Sequence, residues 1–406
     1  DNAMLLPLYA EGAQRWNSQL LRTTAEGIVD WLLKTMRQEG GAYAASIDAD
    51  AAGEEGGFHV WNQQQVSAVL NDRQRDVFMR SYGLDQAPNF EDRAWHLLRR
   101  APATSLTKEF KETAESLESL LADARQKLRG ERAKRIHPTL DEKQLTSWNA
   151  LLAGGFVRAA RALDRDDWLD HARDIFRFIR NELWSGHSLL AVFNAGEARF
   201  AAYLDDYAWL LDALLQYLQL RWEREWLDFA VLLADALLER FEDPEHGGFF
   251  FSDAAVEVPM GRRMIFQDDA TPAGNAIVVM ALNRMAHLLG EPAYSKAAER
   301  CLARAMPQVS ESPMAHASFL SALKETVQPP PQLVISGSDP QQQSALKQWV
   351  ESHYRVDCYL IGPADDSLPG ILKDFRSDDP VTAWLCRGMQ CLPPVRSQEE
   401  LETLLE

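Results

Sequence analysis

Three carboxylate pairs recur along the chain at nearly even spacing. "AYLDDYAWLLDALLQYL" sets Asp205 and Asp206 at the door of a helix that is apolar nearly all the way round. "FQDDATPAGNAIVVMAL" sets Asp268 and Asp269 before another, and "HPTLDEKQLTSWNALLAG" offers Asp141 and Glu142 before a third. Asp141 and Asp205 are 64 residues apart, and Asp205 and Asp268 are 63 apart. Such carboxylates have two readings. As caps, Asp205 and Asp268 would accept backbone N–H bonds, while Asp206 and Asp269 sit in a first turn where the helix dipole favours negative charge. As a site, they would converge if these helices begin on one face of a ring, and two carboxyl groups roughly 5 to 10 Å apart are what acid/base cleavage of a glycosidic bond requires. The two readings are compatible, and geometry alone separates them.

Other residues with usable chemistry sit near these starts or in one loop. "DADAAGEEGGFHVW" crowds Asp48, Asp50, Glu54 and Glu55 among three glycines, with His59 and Trp61 expected on the same side of a following strand. The spacing does not fit an EF-hand, so a sugar-facing loop is the better expectation: a Trp face stacks on a pyranose ring and neighbouring acids bind hydroxyls. Removing a proton beside a sugar carbonyl, as 2-epimerisation demands, needs a base, and His59, His137 and His246 lie in expected loops where one would sit. His171 and His287 fall within helical patterns and read as structural. Arg262 and Arg263, just before Asp268, either hold an anionic sugar or pair with the acids. Trp148, Asn149, Tyr207, Trp209 and Asn275 fall one or two turns into apolar helices. Trp209 reads as core, whereas a buried amide at Asn149 or Asn275 must find partners. No metal site and no cofactor are indicated: Cys386 and Cys391 enclose four residues, a spacing that is neither CxxC nor half of a paired zinc motif, and read as structural or incidental. "GGF" and "GSDP" match no phosphate-binding loop.

The elements that must position these residues are mostly helices. "TTAEGIVDWLLKTMRQ", "DWLDHARDIFRFIRNELW" and "PAYSKAAERCLARAM" carry one apolar stripe and one wet face, the pattern of outer helices. "SWNALLAGGFVRAARAL", "DYAWLLDALLQYLQL" and "GNAIVVMALNRMAHLL" are far more apolar and must be covered on most sides. Inner and outer helices alternate with a period of roughly 60 to 65 residues, joined tightly within each pair. The long connections look alike at "GGAYAASIDAD" and "GGFFFSD", each an expected short hairpin. A mainly α chain follows: residues 1–326 are expected to form an α/α toroid, interrupted by an insertion at about 51–135. In that insertion "GEEGGFHVW" is expected as a strand and "SLTKEFKETAESLESLLADARQKLRGERAKR" as one long charged helix. Residues 327–406 read as a small α/β extension with strands at "LVISG", "VDCYLIG" and "VTAWLCRG" and a last helix opened by a capping box at Ser397 and Glu400.

Composition narrows the partners. With 46% hydrophobic and 25% charged residues the chain is that of a globular protein, and its apolar runs are broken by charge before membrane-span length. A net charge of −18 argues against nucleic acid, whose phosphates need clustered cations. Four cysteines, Cys301 and Cys358 among them, are too few for a disulfide framework and point to a reducing cytoplasm.

"DNAMLL", "DADAAGEEGGFHVW", "LDEKQLTSWNALL", "YLDDYAWLL", "DDATPAGNAIVVMAL" and "CRGMQCLPPV" together resemble the family of thioredoxin-domain-containing proteins named after a spermatogenesis-associated member. The resemblance runs along essentially the whole chain. It implies an upstream thioredoxin-like domain as partner and a six-hairpin, (α/α)6-type toroid, N-terminally truncated in this chain and similar to N-acylglucosamine 2-epimerases and six-hairpin glycosidases. The function it implies is binding or processing of a small sugar by acid/base chemistry. The alternative is a non-catalytic scaffold for the thioredoxin-like domain.

Overall fold

The computed structural model describes residues 1–354 and 356–405. Its helices and strands are numbered α1–α15 and β1–β11 along the chain. They form two compact units, one of residues 46–141 and one of residues 1–45 with 142–406.

The larger unit is built from helical hairpins in succession: α1 (Asn2–Trp16) with α2 (Gln19–Trp31), α7 (Thr146–Leu163) with α8 (Asp166–Phe178), α9 (Leu204–Leu220) with α10 (Arg224–Arg240), and α11 (Gly274–Leu289) with α12 (Pro292–Glu311), followed by α13 (Ala317–Val327). The first helix of each pair packs on the first helix of the next, α1 on α7, α7 on α9, α9 on α11 and α11 on α13. That run of inner helices with outer partners is the α/α-toroid architecture expected from the alternation. Burial follows the sequence. Along α9, everything from Tyr207 to Leu215 is buried, whereas α8 buries only the stripe through Trp168, Leu169, Ala172, Ile175, Phe176 and Phe178. Each large side chain so covered contributes about 1.5 to 3 kcal/mol, which orders the helices without help from the short loops.

One end of the inner helices is closed by the C-terminal α/β segment. Strands β8 (Gln332–Ser336) and β9 (Asp357–Leu360) pair in parallel, and β10 (Thr382–Arg387) runs antiparallel to β8 and to β11 (Gln390–Cys391). Helices α14 (Pro340–His353) and α15 (Gln398–Leu405) cover the sheet through Leu346, Val350 and Leu401. Lys347 of α14 donates to the carbonyl of Leu220 at 3.0 Å and to that of Gln219, satisfying the end of α9. Nearby, the buried Arg284 pairs with Asp212 at 2.9 Å and Glu325 at 2.8 Å, tying α9, α11 and α13 together. Only half of the expected capping box forms on α15: Ser397 accepts the Glu400 N–H, but the Glu400 carboxylate turns back to the N–H of Arg396. Cys386 and Cys391 face each other across β10 and β11 and are joined by a disulfide.

The unit of residues 46–141 starts and ends on one ribbon, β1 (Ser46–Ile47) against β4 (Leu140–Asp141), so it is inserted between neighbouring chain positions. Hairpin β2 (Asp50–Ala51) and β3 (Glu54–Glu55) precede α3 (Gln63–Val69), α4 (Asp72–Tyr82), α5 (Ala103–Phe110) and α6 (Ala114–Arg132). Two expectations fail here. The long charged helix breaks at Lys111, whose φ of 58° is left-handed, and restarts with Thr113 accepting the Ser116 N–H, because Ser and Thr offer the backbone a cap in place of continued helix. "GEEGGFHVW" is a strand only at Glu54–Glu55; turns follow, and Trp61 joins the backbone of Trp95 in a lone bridge.

Candidate functional site

One device recurs at three of the handovers from an outer helix toward the next inner helix, after α2, α8 and α10. The chain turns, often through paired glycines of positive φ such as Gly40 and Gly41 or Gly247 and Gly248, and closes a single antiparallel bridge: Arg37 with Tyr43, Trp184 with Leu189, Glu242 with Phe249. A side chain at the start of an inner helix then clamps the bridge. Asn149 accepts the Tyr43 N–H at 2.7 Å and donates to the Tyr43 carbonyl at 3.0 Å; Asn275 accepts from Phe249 at 2.8 Å and donates to its carbonyl at 2.9 Å. In the middle hairpin the Tyr207 hydroxyl accepts the Leu189 N–H at 2.8 Å. Asn149, Asn275 and Tyr207 are therefore bound to backbone and are not free to bind substrate, which corrects the sequence-based expectation for all three. Each amide also donates a third bond, to the carbonyl of Leu145 or Ile265 at 3.0 Å, and an amide so bonded is satisfied.

The carboxylates divide by role. Neither Asp205 nor Asp268 is the N-cap residue; Tyr203 holds that place for α9 and Ala273 for α11. Asp206, 3% exposed, accepts the Ser147 N–H of α7 and the Tyr203 N–H of α9, both at 2.7 Å, so one carboxylate caps two neighbouring inner helices. Burial pushes its carboxyl up to about 7 against the pull of those bonds and of Ser147. Asp268 repeats the arrangement one hairpin on, accepting the Ala273 N–H of α11 and the Ser318 N–H of α13, both at 2.9 Å, and the Ser318 hydroxyl. Asp269 is exposed outside the helix, with its N–H bonded to the Thr271 carbonyl.

Asp205 differs from both. Among the described residues its carboxylate has no hydrogen-bond or ion-pair partner, and burial raises it to about 6. It lies against Gly274 at the start of α11, where an added Cβ would collide with Oδ1. The glycine is needed there because the carboxylate occupies the place of a side chain. Two exposed aromatics flank the Asp205–Asp206 pair along the chain and through its bonds. Trp148, beside the Ser147 that binds Asp206, is 50% exposed, and Tyr203 is 43% exposed with its ring stacked on Phe251 at 4.8 Å. Trp209 is core, as expected. Tyr203, Phe251 and Gly274 escaped the sequence reading; the aromatic two places ahead of an Asp pair and the glycine heading an apolar helix were the available signals.

The remaining arginine and histidine candidates of this unit are peripheral. Arg262 spends its guanidinium on the carbonyls of Ser252 and Arg240 and lies over the Phe250 ring, so it is unavailable to an anionic sugar. Arg263 is exposed and its carbonyl accepts the Phe251 N–H. His246 is exposed beside Asp243, and His171 of α8 packs on Phe156 of α7.

Asp48, Asp50, Glu55, His59, Trp61, His137 and Asp141 belong to the unit of residues 46–141. Asp48 accepts the Asp50 N–H in a local turn, and Asp50 lies opposite Glu55 across the hairpin. Trp61 is 2% exposed, with the Arg135 guanidinium 4.1 Å above its ring, so its face is not open to a pyranose. His59 and His137 both pack edge or face against Phe58 and are otherwise exposed. Burial and the nearby Arg132 lower His59.

No family model matches the chain. The human protein named spermatogenesis-associated protein 20 is 25% identical to it over 448 residues, covering 100% of this chain and 57% of the relative. An uncharacterized protein of Caenorhabditis elegans is 26% identical over 415 residues, covering 93% of this chain and 56% of the relative. The chain thus spans little more than half the length of these relatives. Among solved structures, a glycoside hydrolase family 76 α-mannanase from Bacteroides thetaiotaomicron aligns with a TM-score of 0.46 at 11% identity, over 80% of this chain and 68% of that one. A sugar epimerase from a ruminal bacterium aligns with a TM-score of 0.43 at 10% identity, over 75% of this chain and 58% of that one. The chain is, over its whole length, a homologue of the proteins named spermatogenesis-associated protein 20.

Proposed function

We propose that the larger unit binds and chemically processes a small carbohydrate where its inner helices begin, with Asp205 as the group that gives and takes a proton. The observation that carries this is Asp205 itself: a largely buried carboxyl without a partner among the described residues, raised to about 6 by burial and facing a residue with no side chain. A structural acid is normally bonded, as Asp206 and Asp268 are; an acid left unbonded and poised near neutrality suits general acid–base work. Asp206 positions the starts of α7 and α9, and the exposed Trp148 and Tyr203 offer ring faces of the kind on which a sugar packs. The longer protein's upstream thioredoxin-like domain, implied by the resemblance, belongs to this proposal as a partner.

The test uses the intact chain and a panel of mono- and disaccharides, read by thermal shift and by turnover. Expected are a sugar-dependent stabilisation and a turnover whose pH profile bends near 6, with Asp205→Asn keeping the first and losing the second. If no sugar of the panel shifts melting or is turned over, the carbohydrate reading fails and a scaffold role replaces it.

A further inference from the structure

The unit of residues 46–141 holds a cavity of about 160 Å³ that the reading above does not use. Its walls are Trp61, Phe78, Tyr82, Leu97 and Leu128. Except for Leu97 these are core residues of the unit, so the floor of the space is apolar. The size is close to that of a cavity that takes a benzene ring, about 150 Å³.

The rim is cationic. Arg125, Arg129 and Arg132 line the same cavity, spaced four and three apart, which puts them on one stripe of α6 with Leu128. Arg125 is answered by Glu118 at 3.1 Å and the Tyr82 hydroxyl at 3.3 Å. Among the described residues, Arg129 and Arg132 have no carboxylate partner, and Arg132 rests over the Phe58 ring at 5.4 Å. Two like charges three apart on a helix repel, and in a chain of net charge −18 acids to answer them are plentiful. On a neighbouring element, burial first and then Arg132, His96 and Arg135 lower His59. Arg135 itself is occupied by the carbonyls of Phe58 at 2.9 Å and Val60 at 2.8 Å.

We propose that this cavity binds a small organic anion, with a ring-sized apolar body against Trp61, Phe78 and Leu128 and a carboxylate or phosphate head on Arg129 and Arg132. A sugar is not the occupant, since the apolar walls would leave its hydroxyls unpaired. The site is independent of Asp205, and its test does not depend on turnover.

Benzoate, phenyl phosphate, cyclohexanol and inorganic phosphate are titrated into the intact chain, followed by calorimetry and tryptophan fluorescence. Benzoate or phenyl phosphate should bind in the submillimolar to millimolar range, and the tighter of the two identifies the head group. Cyclohexanol and inorganic phosphate should each bind at least tenfold more weakly. Arg129→Gln with Arg132→Gln should weaken the anion at least tenfold while melting is unchanged, and Leu97→Trp should fill the cavity and remove binding. Absence of binding by both organic anions up to 10-fold above that range overturns the proposal. So does undiminished binding by the double variant, and so does equal affinity for cyclohexanol or for inorganic phosphate.

Discussion

Replacing Asp205 by Asn removes a charge that the fold holds against its preference. A rise from 3.8 to about 6 corresponds to at most about 3 kcal/mol acting against the folded state at neutral pH. The first turn of α9 offsets about 0.3 to 1 kcal/mol of this, since a negative charge is favoured at a helix start. Asp205→Asn should therefore stabilise the chain by about 2 kcal/mol at pH 7.5. The sign follows from proton binding. Because the folded state holds its proton more tightly than the unfolded chain, the favourable contribution is present below the ordinary value and is lost as pH rises through about 6. The stability gap between variant and parent should thus be about a third of its full size near pH 4.5 and reach its plateau above about 7. Denaturant unfolding of both proteins across that range measures the gap directly, and titrations common to the two cancel. A variant less stable than the parent at pH 7.5 would sink the argument, because it would show Asp205 to be bonded after all. A gap independent of pH would do the same. Loss of turnover alongside gain of stability is the signature expected of a functional residue.

In the same assay Asp206→Asn relieves a carboxyl that burial raises to about 7 but accepts only one of the two N–H bonds from Ser147 and Tyr203, so any gain should fall about 1 to 3 kcal/mol short of what charge relief alone would bring. Asn149→Ala and Asn275→Ala should each cost about 3 kcal/mol by leaving the backbone of Tyr43 or Phe249 buried and unpaired, and the double variant should lose the sum. Trp148→Ala, at a half-exposed position, should change unfolding by less than about 0.5 kcal/mol yet weaken sugar binding about fivefold to tenfold in calorimetric titration. Gly274→Ala should destabilise by about 1 to 3 kcal/mol because its methyl meets the Asp205 carboxylate, and Asp205→Ala in the same chain should restore the loss.

The alternation of wet and dry helices was legible because 3.6-residue periodicity is a local property: the stripe of α8 and the almost continuous burial of α9 can be read from side-chain types alone. The near-even spacing of the Asp pairs was legible for the same reason, since each marks the start of an inner helix. What each carboxylate does was not. Asp205 and Asp206 are chemically identical neighbours, and their roles are set by residues far away in sequence: Ser147, whose N–H turns Asp206 into a cap for two helices, and Gly274, which makes room for Asp205 without bonding it. Asn149 and Asn275 carried a partial signal. A polar amide on a buried helix announces that it has partners, but that the partners are the bridge residues Tyr43 and Phe249 depends on how the preceding loop returns.

The misread segments share a cause. The break at Lys111, the turns after Glu55 and the covering of Trp61 by Arg135 are settled by capping bonds and by contacts across tens of residues, which composition does not encode. The Cys386–Cys391 bridge likewise needs the register of β10 and β11, which places the two directly opposite. By itself, then, the sequence determined a mainly helical chain of inner and outer hairpins with acids at the inner-helix starts, because hydrophobic periodicity and helix-start chemistry are local. Only the tertiary structure decided which of those acids caps and which stands unbonded, because desolvation and hydrogen bonding depend on what the rest of the chain brings alongside.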